Sequence, residues 1–253
     1  MSRCLPKVVL TVALCVVGCA TTVYNPFRIP EEEFKAKIKR LALTPVEVFV
    51  ELEDMEPVKA KLDAIIEARL REAGFTTVPA SEYAQVEKKM IELVGGYFDP
   101  ISGKKDEAKY KRVQEHVRRE ISTKYEGHAV LRPAILRIGA RFHGMTANWH
   151  GVQEEATSFA SRLMGGLWAG NIPASSLRVS IEDIQGNPLY MNFGGLELLS
   201  KYSYEFFKGV KFEPVPRVEL FKHEERLRQA VDIALGPLVG KPLSSTQIPV
   251  DMP

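Results

Sequence analysis

All three cysteines of this 253-residue chain, Cys4, Cys15 and Cys19, fall within its first nineteen positions. Whatever follows Cys19 must fold without a disulfide, without a thiolate metal site and without a cysteine nucleophile. A chain so constrained has to be held by a buried apolar core. Setting the first 18 residues aside leaves 235, enough for one large domain. Charge narrows the partners further. The chain carries 34 Lys and Arg against 32 Asp and Glu; Arg3 and Lys7 belong to the opening stretch, which has no acidic residue, so the remainder balances at 32 against 32. A neutral body lacks the basic surface that neutralises phosphates, and no nucleic-acid partner is expected.

Arg3 and Lys7 precede about ten apolar residues, Val8 to Val17, and the run closes on Gly18-Cys19-Ala20-Thr21-Thr22. That is the layout of a secretory signal. It falls short of the roughly 20 apolar residues that a spanning helix needs. The junction Val16-Val17-Gly18-Cys19 resembles the lipobox of bacterial lipoproteins, where the signal is cut before the cysteine and the thiol is acylated. The resemblance implies a signal peptide over residues 1–18 and palmitate-type acylation of Cys19, with membrane lipid as the first partner. Each buried methylene contributes about 0.8 kcal/mol, and more than one chain makes the attachment stable. Ala20, where some lipoproteins carry aspartate, is similar to lipoproteins sorted onward, so the expected place is the periplasmic face of the outer membrane. Residues 19–34, with two prolines and no periodicity, are expected as a tether. Residues 35–240 then form a single α/β domain and 241–253 a Pro-, Ser- and Thr-rich tail.

Within the domain, strand-like and helix-like segments alternate. Ile38 to Val50 is aliphatic with Thr44-Pro45 in its middle, a buried strand bent or ended by proline. Pro57 opens a helix whose Val58, Leu62, Ile65, Ile66, Leu70 and Ala73 repeat at 3.6 residues until Gly74. Phe75 to Pro79 reads as a strand. Ser81 is expected to cap a second helix carrying Tyr83, Val86, Met90, Leu93 and Val94, with Gly95-Gly96 beyond. A third runs from about Glu107 to Tyr125, with Tyr110, Val113, Val117 and Ile121 inward and Asp106 as its cap. From Leu136 to Phe142 apolar and polar residues alternate, as they do through Leu177, Val179 and Ile181 and through Leu189, Met191 and Phe193. The last two sets flank Gln185-Gly186-Asn187-Pro188 and make a hairpin. Leu227, Ala230, Val231, Ala234 and Leu235 mark a final helix ending at Gly236-Pro237. The order implies a mixed β-sheet covered by helices, with an irregular insertion at about 143–176.

Lys39-Arg40-Leu41-Ala42-Leu43-Thr44-Pro45 as first strand, Leu62 to Gly74 followed by Phe75-Thr76-Thr77-Val78, and Val179-Ser180-Ile181-Glu182-Asp183 through Gly186 resemble the envelope lipoproteins with a TolB amino-terminal-like fold. The curli secretion lipoprotein and the lipoprotein activators of penicillin-binding proteins belong to this group. The resemblance implies a non-catalytic binding or assembly module of the cell envelope, with an envelope protein as partner and a homo-oligomer left open. The charged helix after Gly96 and the stretch from Gly144 to Ser176 depart from the curli protein, which speaks against a pore.

Two stretches are candidates for a site. In Gly95 to Asp106, Tyr97 and Phe98 beside Asp99 suit a recognition loop, while Asp99-Pro100 and Ser102-Gly103 equally supply ordinary turn chemistry. The spacing of Asp99, Ile101 and Gly103 does not suit calcium. In Phe142 to Gly151, Trp149 and, further on, Trp168 are candidate contact residues. His143 and His150 with Glu154 form the alternative, a zinc site of a metal-dependent hydrolase, although a spacing of seven matches no helical pair. Phe159, Leu163, Met164, Leu167 and Trp168 around Gly165-Gly166 make an apolar stripe. No Gly-x-Ser-x-Gly elbow, His-Glu-x-x-His or phosphate loop occurs. No catalytic residue and no cofactor is therefore assigned.

Overall fold

The computed structural model describes residues 24–50, 52, 54–157, 168–205 and 209–240. The signal, Cys19, most of the apolar stripe and the tail lie outside them. In chain order the elements are α1 (Glu31–Lys37), β1 (Arg40–Leu43), β2 (Glu47–Phe49), α2 (Glu56–Glu72), β3 (Thr76–Val78), α3 (Ala80–Val94), α4 (Glu107–Tyr125), β4 (Ala129–His143), β5 (Thr146–Trp149), β6 (Val152–Glu155), β7 (Ala169–Asp183), β8 (Pro188–Leu198), β9 (Ser200–Glu205), β10 (Gly209–Pro214) and α5 (Glu224–Leu235). Among the described residues no helix is long and apolar enough to cross a membrane.

The organising element is β4, a 15-residue strand. One edge pairs antiparallel with β7 along its whole length, from Ala129 opposite Asp183 to His143 opposite Ala169. The other edge takes three short strands in succession: β1 and β2 in parallel, then β5 antiparallel. Beyond these lie β3, β6 and β8, which complete an eight-stranded mixed sheet, while β9 and β10 form a separate hairpin. Pro133 is tolerated inside β4 for a local reason. Leu131 accepts the Thr44 N–H, so odd-numbered backbone groups of β4 face the β1–β2 edge. Pro133 therefore puts its missing donor in the gap between the end of β1 and the start of β2.

Helices cover both faces. On one, Phe34 of α1, Leu62, Ile66 and Leu70 of α2, and Leu227, Val231 and Leu235 of α5 close over Leu41, Leu43, Leu131, Ile135, Leu177, Val179 and Ile181. On the other, Tyr83, Val86 and Met90 of α3 with Val113, Val117 and Ile121 of α4 close over Ala42, Val78 and Val130. A smaller core joins Phe142, Trp149, Ile172 and Tyr202. Each fully buried aliphatic side chain contributes roughly 1.5–3 kcal/mol. The mixed sheet covered by helices is thus observed, with the early parallel strands and the later hairpin that the element order implies.

Four details differ from expectation. First, Ser81 lies in the first turn of α3 behind Pro79 and makes no capping bond, whereas Asp106 does cap α4, accepting the Lys109 N–H at 3.0 Å. Second, residues from Tyr24 onward are not tether. The Tyr24 hydroxyl donates to Met191 O at 2.5 Å, Met191 N–H to Pro26 O and Arg28 N–H to Leu189 O, both at 2.9 Å. Phe27 packs edge-on against Phe34 at 5.5 Å and Tyr190 at 5.2 Å. Three aromatics thus bury an arm that its prolines and charges disguise. Third, the stretch 143–176 is not an irregular insertion where it is described, because it holds β5, β6 and the first half of β7. Fourth, Met191 and Phe193 do not share the buried face with Leu177 and Val179. A register irregularity between Ile181 and Glu182 shifts the alternation, so Tyr190, Asn192 and Gly194 face α5. Tyr190 Oη donates to Ala234 O at 2.6 Å, and Asn192 Nδ2 reaches Ile233 O and Ala234 O at 3.1 Å. These bonds satisfy carbonyls that the end of α5 leaves open.

Candidate functional site

The connection from α3 to α4 is a folded turn. Gly95 closes α3 in the left-handed region (φ 76°), a conformation that glycine adopts without steric cost. Phe98 then pairs with Lys105 as an isolated bridge. Asp99 N–H donates to Lys104 O at 2.8 Å and Asp106 N–H to Tyr97 O at 2.7 Å. The Asp99 carboxylate accepts from Ser102 N at 2.6 Å, Ser102 Oγ at 2.9 Å and Ile101 N at 3.0 Å. The Ser102 backbone bond foremost, with the others, holds its carboxyl below the usual range. Asp99 is therefore a built-in ligand of its own turn, and what the turn offers outward is Phe98, 60% exposed, and Ile101, 96% exposed.

Tyr97 is half-buried, its ring 4.8 Å from that of Phe98 and edge-on to Tyr110 at 5.2 Å. Tyr97 and Tyr110 line a cleft of about 740 Å3 whose opposite wall is formed by Thr44 to Val50 with Asp54, Glu56 and Lys59 and whose floor includes Tyr83 and Arg132. The floor is tightly held. Arg132 donates to Gln114 Oε1 at 2.8 Å and to Tyr83 Oη at 3.4 Å, and pairs with Glu182 at 3.5 Å. Burial foremost pushes the Tyr83 hydroxyl up to about 12. Phe49 of β2, 59% exposed, stands on the rim. Glu47, Glu87 and Arg132 were not singled out from sequence. The available signal was Thr44-Pro45, because the break between β1 and β2 falls where one wall begins.

The second candidate stretch is divided by the fold. Trp149 is buried, 5% exposed, and its Nε1–H donates to Ser175 O at 3.0 Å, which removes it from the candidate contact residues. His150 sits with φ 36°, its ring stacked on Phe193 at 4.7 Å and Nδ1 2.8 Å from Ser176 Oγ. Burial lowers its pKa to about 4, so the imidazole is neutral. Glu154 pairs instead with Arg226 of α5; burial raises its carboxyl and Arg226 pulls it down. His143 lies at the exposed end of β4, opposite Thr146 and Ala169. Among the described residues no group of three His, Cys, Asp or Glu side chains is placed to hold a metal ion, and His143, His150 and Glu154 are not brought together. Trp168, 40% exposed, accepts the Gly144 N–H at its carbonyl at 2.8 Å and stands just before β7.

No protein-family model matches the chain, and no curated protein matches its sequence. Solved structures overlap it at low similarity. The PelC dodecamer from Paraburkholderia phytofirmans is 10% identical, covering 80% of this chain and 88% of that one at a TM-score of 0.32. Lipoprotein GNA1162 from Neisseria meningitidis is 15% identical over 62% of this chain and 81% of its own, at 0.31. The hypothetical protein CT253 from Chlamydia trachomatis is 13% identical over 62% and 71%, at 0.29. Values this low transfer no role.

Proposed function

We propose that this chain is a lipid-anchored, non-catalytic binding module of the bacterial envelope, held at the periplasmic face of the outer membrane through acylated Cys19. One observation carries the reading: Cys19 is the last thiol in the chain, and only five residues on, at Tyr24, the chain is already bonded to β8. Five residues span at most about 18 Å. A body on so short a leash rests beside the bilayer rather than ranging through the periplasm. Its contact surface is the Phe98–Ile101 turn with the adjoining cleft, which join exposed apolar groups to a recess on a rigid support.

Replacement of Cys19 by serine tests the anchorage. Metabolic labelling with palmitate should mark the wild type and not the variant, and the variant should leave the membrane fraction. A variant that stays equally membrane-bound and normally processed would refute the reading. For the contact surface, Ile101→Asp should abolish crosslinking to an envelope protein, since it places a charge at the most exposed apolar position of the turn.

A further inference from the structure

The cleft beside Tyr97 has an uneven charge inventory. Of its cations, Lys59 is taken by Glu56 at 2.6 Å and Arg132 by Glu182 and Gln114. Glu47 and Asp54 then have no cationic partner among the described residues, and Glu87 is met by the neutral amide of Gln114 at 2.9 Å. The aromatic groups suit the same sign of ligand. On Tyr110, Lys105 Nζ already sits 3.3 Å from the ring centroid, as the negative face of a phenol favours. Burial foremost, then the charge of Glu87, raises the Tyr97 hydroxyl. A volume of about 740 Å3 exceeds what a metal ion or a single amine needs and fits a long side chain with part of its backbone.

We infer that the cleft binds an arginine side chain presented by an extended segment of a partner protein. Glu47 enters from β2 and Glu87 from α3, so a ligand meeting both must offer hydrogens in more than one direction. A guanidinium does this with its planar fork and stacks on an aromatic face as well, whereas an ammonium is a point charge. The extended backbone follows from β2. Among the described residues it pairs with β4 alone. The Val46 N–H, turned from β4, is taken by Asp63 at 3.1 Å, and Val48, two residues on, presents its backbone on the same side. That edge beside the cleft is where a strand from another chain adds.

This assignment rests on the binding-module reading, and its test is separable from that of the lipid anchor. The full chain in detergent micelles is titrated by fluorescence anisotropy with a labelled Gly-Val-Thr-Arg-Val-Thr-Gly amide, and with the same peptide carrying citrulline or lysine. The arginine peptide should bind, the citrulline peptide should bind at least about tenfold more weakly, and the lysine peptide should fall between them. Glu47→Gln and Glu87→Gln should each weaken arginine binding about tenfold. Glu47 is exposed, so its variant keeps the fold, and Glu87→Gln retains an amide oxygen that accepts from Gln114. Free arginine amide should compete only weakly, because it lacks the strand. Absence of binding at about 1 mM peptide, equal affinity for citrulline, or indifference to Glu47→Gln would each overturn the assignment. Cys19→Ser should release the protein from membranes and leave this affinity unchanged, so failure of the anchor and failure of the cleft read out separately.

Discussion

Among the described glycines Gly194 makes the closest approach to another element, and an alanine there should be costly. β8 passes between α5 and the β5–β6 hairpin. A methyl on Gly194 would stand 2.0 Å from Ala230 O and 2.8 Å from its carbonyl carbon, while one on Gly195 would meet Val152 Cγ2 at 2.1 Å. Ordinary contact begins near 3.4 Å, and the obstacle at Gly194 is helix backbone, which cannot swing aside. α5 would have to retreat by more than an ångström. That retreat loosens Leu227, Val231 and Leu235 in the main core and stretches the bonds from Tyr190 and Asn192 to the last carbonyls. Overpacking costs about 1–3 kcal/mol and a weakened hydrogen bond about 1 kcal/mol, so Gly194→Ala should lose about 3–4 kcal/mol. For a chain of this size that lowers Tm by roughly 8–12 °C. The measurement is thermal unfolding followed by circular dichroism. Gly139→Ala is the control, since its methyl would meet Asn171 Cβ at an unforced 3.5 Å and should change stability by less than about 0.5 kcal/mol. If the two variants melt together, the close-approach reasoning is wrong.

Three further outcomes are expected. Burial lowers the His150 pKa to about 4 from its ordinary 6.5, so the unfolded chain binds more protons between those values and stability rises with pH there. Burial foremost raises Asp63 to about 6 from 3.8, which acts oppositely: its contribution is full below pH 4 and is lost as pH climbs to 6. The two slopes oppose one another in the wild type. In urea titrations from pH 4 to 6.5, Asp63→Asn, which keeps an acceptor for Val46 N–H, should steepen the rise, and His150→Gln should tilt the profile downward; parallel profiles would refute both assignments. Phe27→Ala should cost about 3 kcal/mol and speed tryptic cleavage after Arg28, and an unchanged rate would mean that the arm is not held. Trp149→Phe strands the buried Ser175 carbonyl and should destabilise by about 1–3 kcal/mol, while leaving crosslinking to an envelope partner as in the wild type.

Legibility followed the range of the forces involved. α2, α4 and α5 were readable because period, cap and stop lie within one helix, as Leu62 to Leu70, Asp106 and Leu227 to Leu235 show. The β7–β8 hairpin was readable from its turn, and Asp99 as turn chemistry from the residues beside it. The face of β8 was not, because the irregularity opposite Glu182 and the burial of Asn192 are settled by α5, some forty residues away in the chain. Nor was the burial of the arm from Tyr24 to Phe34, where the partner of Phe27 is Tyr190. Trp149 and Phe98 are alike on paper; only packing withdrew the first and exposed the second.

What the chain determined by itself is local: a cysteine closing a short apolar run, amphipathic helices, turns and, beyond residue 18, equal numbers of basic and acidic residues. Tertiary structure alone decided which carboxylates are paired, and so where unbalanced negative charge remains. Glu154 found Arg226 across 72 positions, Arg132 found Glu182, and Glu47 found no cation among the described residues. Pairing depends on distances of a few ångströms between residues that sequence spacing does not relate, which is why a site made of such remainders appears only when the chain is folded.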